Sequence, residues 1–152
     1  MKKYIIWSLL FLFFISCDRD HVVPDDESSK TAQLRELYLE KIYGKWSYTE
    51  TSTFYHIEEN YDFQADGQVS GHMLLMARDS VFVNGEKVLT DWEKAIDDDV
   101  AGKWNLYYDS FLKQNVLSIG NKVVEFIGVN DSILEIQSPL IGGKFIKMHR
   151  KE

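Results

Sequence analysis

Hydrophobic residues fall along this chain in three successive patterns. Ile5 to Ile15 form an apolar run of 11 residues broken only by Ser8, with Lys2 and Lys3 before it. At 1.5 Å per helical residue the run is too short to cross roughly 30 Å of hydrocarbon. It fits the h-region of a secretory signal peptide. Residues 18–30 are polar and acidic, contain Pro24, and read as a tether. Thr31 to Tyr43 then predicts one helix. Leu34, Leu37, Tyr38 and Ile42 stand at i, i+3, i+4 and i+8 on one face, and Gly44 is the stop. The other face mixes Arg35 and Lys41 with Glu36 and Glu40, which favours a packing helix over one lying on a membrane.

From Gly44 onward the period changes from helical to alternating. Tyr55, Ile57, Tyr61 and Phe63 share one parity, with Glu59 as the exception, and Asp66-Gly67 turns the chain. Val69, Gly71, Met73 and Leu75 share the next parity. Asn84-Gly85 between Val81-Phe82-Val83 and Lys87-Val88-Leu89 is a strong two-residue hairpin signal. Gly120-Asn121 and Asn130-Asp131 separate the following strands, and Gly142-Gly143 precedes the last, Lys144 to His149. Asp91 to Val100 is the least regular stretch. Trp92, Ala95 and Ile96 suggest a short helical turn there, before a solvated Asp97-Asp98-Asp99 loop. Successive hairpins at short spacing predict an all-β antiparallel up-and-down meander of about eight or nine strands. Closure into a barrel would remove its edges, and an open sandwich is the alternative. The expected division is a signal peptide over 1–16, a tether over 17–30, and a helix-plus-barrel domain over 31–152.

Composition narrows the partners. The chain has 152 residues, enough for one ordinary domain, and is 45% hydrophobic and 27% charged, which excludes a disordered or collagen-like chain. A net charge of −7 argues against nucleic acid, whose phosphates demand a basic face.

Cys17 is the one cysteine, and Ser16 precedes it at the end of the apolar run. This arrangement resembles the lipobox of bacterial lipoproteins, although Phe14 stands where that family usually has Leu. The resemblance implies cleavage before Cys17 and acylation of its thiol, with palmitate-type chains as a membrane anchor. Several chains are needed because a single one binds only marginally. The acidic segment after Cys17 is similar to a surface-export signal of lipoproteins in Bacteroidetes-type bacteria; a plain solvated spacer is the other reading.

Gly44-Lys45-Trp46 directly after the helix, Tyr61-Asp62-Phe63 leading into Asp66-Gly67, Gly102-Lys103-Trp104, Leu134-Glu135-Ile136 and the ending Phe145 to Lys151 follow one another in an order that resembles the lipocalin-like lipoproteins of the same bacteria. The resemblance implies an eight-stranded barrel with one open mouth. It also implies that Gly44 and Trp46 close the other end, with Arg150 as a cation over the Trp46 indole. Gly-Lys-Trp occurs twice, 58 residues apart, which suits either duplicated half-barrels or coincidence.

Candidate chemistry is sparse. His21, His56, His72 and His149 lack metal-ligand spacing, although His56 and His72 lie on strands that could be neighbours. Asp97-Asp98-Asp99 offers oxygen ligands without the ordered spacing of a calcium loop. No nucleophile elbow or phosphate loop is present, so no catalytic residue, metal or cofactor is expected. Glu58 and Glu59 point to opposite faces of one strand; whichever faces inward is a polar anchor or a buried charge needing a partner. Tyr61, Phe63, Met73, Leu75, Trp104 and Tyr108 share inward parity and are the candidate ligand-lining residues. In a small barrel such residues either fill the interior or line a cavity for one ligand. Two functions are expected: a lipid-anchored envelope barrel binding a small apolar or amphipathic molecule, or a filled barrel docking an envelope protein at the outer membrane or cell surface. Neither is enzymatic.

Overall fold

A computed structural model describes residues 26–152, so the apolar run, Cys17 and the first part of the expected tether lie outside the described residues. The helix, α1 (Asp26–Ile42), starts five residues before the expected Thr31. Residues 26–30 therefore belong to the helix and not to the tether. Their polarity, which reads as linker, suits a first turn: Asp26 and Glu27 complement the helix dipole, and Lys30 Nζ lies 2.7 Å from Asp26. Leu34 and Ile42 are buried, and Tyr38 and Leu39 pack against the core. Leu37, expected on the packing face, is 60% exposed, so the buried stripe leans toward Leu39.

The strands follow as β1 (Gly44–Thr51), β2 (Tyr55–Phe63), β3 (Gln68–Ala77), β4 (Ser80–Val83), β5 (Glu86–Leu89), β6 (Glu93–Asp109), β7 (Gln114–Ile119), β8 (Lys122–Val129), β9 (Ile133–Gln137) and β10 (Phe145–Lys151). Eight close into an antiparallel barrel in the order β1-β10-β9-β8-β7-β6-β3-β2. The remaining pair, β4 and β5, forms its own two-stranded sheet at the predicted Asn84-Gly85 hairpin and joins no barrel strand.

The expected helical turn near Trp92 is replaced by strand. β6 runs from Glu93, and its residues 93–103 pair with β3 while Trp104–Asp109 pair with β7. The acidic run Asp97–Asp99 is part of this strand, held in extended form by the ladder and not by local propensity. The exchange of partners falls between Lys103 and Trp104, just after Gly102, whose φ of +141° is one that glycine adopts readily. The two Gly-Lys-Trp triplets share a local geometry. Gly44 and Gly102 both have positive φ, and Trp46 and Trp104 are both buried. Each indole N–H donates to a backbone carbonyl, of Ile42 at 2.7 Å and of Gln64 at 2.9 Å.

α1 lies across the end of the barrel where β1 begins. Tyr38 meets Phe126 edge-on at 5.4 Å, and Tyr43 meets Trp104 at 5.9 Å. Arg150 sits with its guanidinium 4.3 Å from the Trp46 ring and donates to the carbonyls of Tyr43, Lys41 and Asp131. The opposite end, where β1 runs out and β2 and β10 begin, is the mouth.

Candidate functional site: the polar mouth of the barrel

Alternation along β1, β2 and β10 puts Trp46, Phe63, Tyr61, Ile146 and Met148 into the closed half of the barrel. The same parity carried toward the mouth brings inward Tyr48 and Glu50 on β1, Tyr55 and Glu59 on β2, and Lys144 just before β10. The interior thus changes from apolar to polar along its axis. The lower half is filled by aromatic contacts such as Phe63 on Trp104 at 5.4 Å and Tyr61 on Phe63 at 5.9 Å.

Glu59 is fully buried, at 0% exposure. Tyr61 Oη donates to its Oε2 at 3.0 Å, and Ser138 Oγ donates to its Oε1. Ser138 has no other use for that proton. Its oxygen already accepts the N–H groups of Leu140 and Ile141, both at 3.1 Å. Burial pushes the Glu59 carboxyl above the usual carboxylate range, against the pull of the two hydroxyl donors. No Lys, Arg or His contacts it among the described residues, so the acid is favoured in its neutral form by its surroundings. Burial, reinforced by the adjacent Glu59, raises the Tyr61 phenol far beyond its ordinary value.

Nearer the solvent, Glu50 accepts from Lys144 Nζ and from the hydroxyls of Tyr48 and Tyr55, the last at 2.7 Å. These donors, Lys144 foremost, hold the Glu50 carboxyl down at about 2. Glu50 in turn raises Lys144. Two carboxyl groups on neighbouring strands, Glu59 opposite Tyr48 and Glu50 opposite Ile57, thus have opposite electrostatic settings. Both bind the segment between β9 and β10: Ser138 at its start reaches Glu59, and Lys144 at its end reaches Glu50. The segment between them carries Pro139, Leu140, Ile141, Gly142 and Gly143 over the mouth, with Leu140 packed on the core.

The expected ligand-lining residues separate into three places. Tyr61, Phe63, Met73 and Trp104 are buried together in the core cluster. Leu75 is half-buried on the mouth wall opposite Ile96. Tyr108 lies at the closed end, beneath Lys30 Nζ at 4.5 Å from its ring. Gly71, the inward glycine, opens no space. It pairs with Tyr61 across the ladder, and a Cβ there would stand 2.1 Å from Asn60 O and 3.0 Å from the Tyr61 ring. Glu50, Ser138 and Lys144 were not anticipated. Their signal was parity: Glu50 alternates with Trp46 and Tyr48, and Lys144 with Ile146 and Met148.

The histidines stand apart. His56 pairs across the ladder with Met76 and His72 with Asn60. His72 lies between Asp97 at 3.2 Å and Asp99 at 3.0 Å, and His56 bonds Thr51 and Glu58. Among the described residues no group of three or more His, Cys, Asp or Glu could hold a metal. An open groove of about 310 Å³ runs on the outer wall along Lys45, Asn60, Asp62, Ser70 and Lys151. A second, of about 280 Å³, lies at the base of the β4–β5 hairpin among Arg78, Asp79, Glu93 and Lys94. Both carry charged side chains of either sign.

No protein-family model, curated protein or solved structure matches the chain.

Proposed function

We propose that this protein is a lipid-anchored lipoprotein of the cell envelope. In this reading its barrel is a lipocalin-like, non-enzymatic module that takes a small amphipathic molecule at the mouth. The anchor rests on Cys17 behind Ser16 and the 11-residue apolar run; the outer membrane, with exposure at the cell surface, is the expected location. The single observation that carries the ligand reading is Glu59, a fully buried carboxyl with no cationic partner among the described residues, tied to the segment between β9 and β10. The closed half is packed with large side chains, so the ligand sits high. Its apolar part lies on Leu75, Ile96 and Leu140, and a hydrogen-bond donor or ammonium on it reaches Glu59 when the Ser138 segment lifts. Removal of apolar surface from water supplies affinity, roughly 25 cal/mol per Å², and Glu59 sets orientation.

A second reading is favoured by a separate observation. The β4–β5 hairpin carries Phe82 at 77% exposure and exposes Val81, Val83, Val88 and Leu89 as well. With apolar groups on both faces and no partner strand in the barrel, it suits docking on an envelope protein.

Native and denatured mass spectra, recorded after exposure of the purified protein to envelope extract, test the choice. An added small-molecule mass that vanishes on denaturation, and is lost in Glu59→Leu, supports the carrier. A bare protein mass overturns it in favour of protein docking.

A further inference from the structure

The described chain starts at Asp26, one helical turn before Lys30, and that point lies at the closed end of the barrel. Lys30 stacks on Tyr108, and Thr31 Oγ1 accepts the Tyr108 backbone N–H at 3.0 Å. Tyr108 is three residues before Phe111, in the turn between β6 and β7. Phe111 is 91% exposed and Leu112 51% exposed. This turn is built to present them. Asp109 Oδ1 accepts the backbone N–H groups of Phe111 and Leu112 at 2.9 and 2.8 Å, and Lys113 follows with a left-handed φ of +55°.

We infer that the Phe111-Leu112 turn is a membrane wedge, which seats the closed end of the barrel on the lipid surface and turns the mouth away from it. The inference rests on the lipid-anchored reading proposed above. Eight residues, nine Cα steps, connect Cys17 to Asp26, a span of at most about 30 Å when fully extended. An acylated Cys17 therefore keeps this end, to which the tether joins, within reach of the bilayer. A Phe and a Leu held out in water on a braced turn gain by entering the interface, and Lys30 and Lys113 beside them suit the phosphate layer above the acyl chains. The mouth-end hairpin, also apolar, stands at the other end of the barrel and has no tether to bring it down. The occupant is thus the bilayer that already holds the anchor, at high effective concentration.

The experiment uses the full chain, purified after acylation, in phosphatidylcholine vesicles. Cys17 is blocked by its lipid, so Phe111→Cys supplies a single thiol for a polarity-sensitive fluorophore, and Phe82→Cys supplies the mouth-end control. The expected result is a blue shift, with quenching by shallow spin-labelled lipid, at position 111 and neither at 82. The F111S/L112S variant should transfer between vesicles faster, by about tenfold for each apolar side chain no longer taken from water. Protein that carries the acyl mass and stays on vesicles, with the probe at 111 in water, overturns the wedge and leaves the anchor standing. Protein with an unmodified Cys17 mass and no vesicle binding overturns the anchor itself. A blue shift at 111 produced by envelope protein extract without lipid overturns the membrane in favour of a protein partner.

Discussion

Replacing Glu59 by Gln tests the central electrostatic feature of the barrel. The folded state holds this carboxyl above its unfolded value of about 4.3, because burial disfavours the anion. Its contribution to stability is therefore complete below pH 4.3 and is lost as pH rises through the folded pKa. Across that window the folded chain keeps a proton that the unfolded chain has released. Stability falls by about 1.4 kcal/mol for each pH unit, then levels off. Gln is neutral throughout and fits the same partners. Its amide oxygen accepts from Ser138 Oγ, and its amide N–H can donate to Tyr61 Oη. The difference between variant and wild type isolates the carboxyl, since the other titrating groups cancel. At pH 4 the two proteins should melt together. By pH 8 the Gln variant should be the more stable, at about 4 °C in Tm for each kcal/mol in a chain of this size. Thermal unfolding followed by circular dichroism at half-unit steps from pH 4 to 8 measures it. Parallel profiles, or a wild type that gains on the variant as pH rises, would refute the account of Glu59 as a carboxyl disfavoured by burial.

Glu50 carries the opposite sign. Its lowered carboxyl contributes stability above about pH 4.3 that is lost as pH falls toward 2, so Glu50→Gln should flatten the acid limb of an unfolding profile and leave the Glu59 window unchanged. Gly71→Ala forces a Cβ to within 2.1 Å of Asn60 O, which only separation of β2 from β3 can relieve. A loss at the upper end of the overpacking range, about 3 kcal/mol, is expected in urea unfolding, and a wild-type midpoint would show that the ladder is looser than described. Arg150→Met removes three hydrogen bonds and the cation over Trp46, for an expected loss of about 2–3 kcal/mol and a change in near-ultraviolet tryptophan signal. A stability loss without that spectral change would detach Arg150 from the indole.

Elements whose instructions are local were legible along the chain. Asp66-Gly67, Asn84-Gly85, Gly120-Asn121 and Asn130-Asp131 turn where turn chemistry predicts, and alternation on β2 and β3 assigns their inner faces correctly. α1 was legible as to type but not as to its start. Asp26 to Lys30 is polar enough for either linker or helix, and the choice depends on Tyr108 and Thr31, 77 residues apart. The polar mouth was half legible. Glu59 was visible as a charge on an inward parity, but Ser138, 79 residues away, was not.

Hydrophobic period and turn residues act over a few neighbours, so the order of side chains is enough to specify an antiparallel meander behind a helix. Tertiary structure alone decided which strands close the barrel, that β4 and β5 stay outside it, and that Glu93 to Asp99 is strand and not a turn followed by a loop. It also decided that inward aromatics fill the lower half while Glu50 and Glu59, on one polar ring, titrate in opposite directions. Each of these depends on what stands across a gap of many residues. A lysine beside Glu50 and apolar walls around Glu59 are facts of packing, and no local period encodes them.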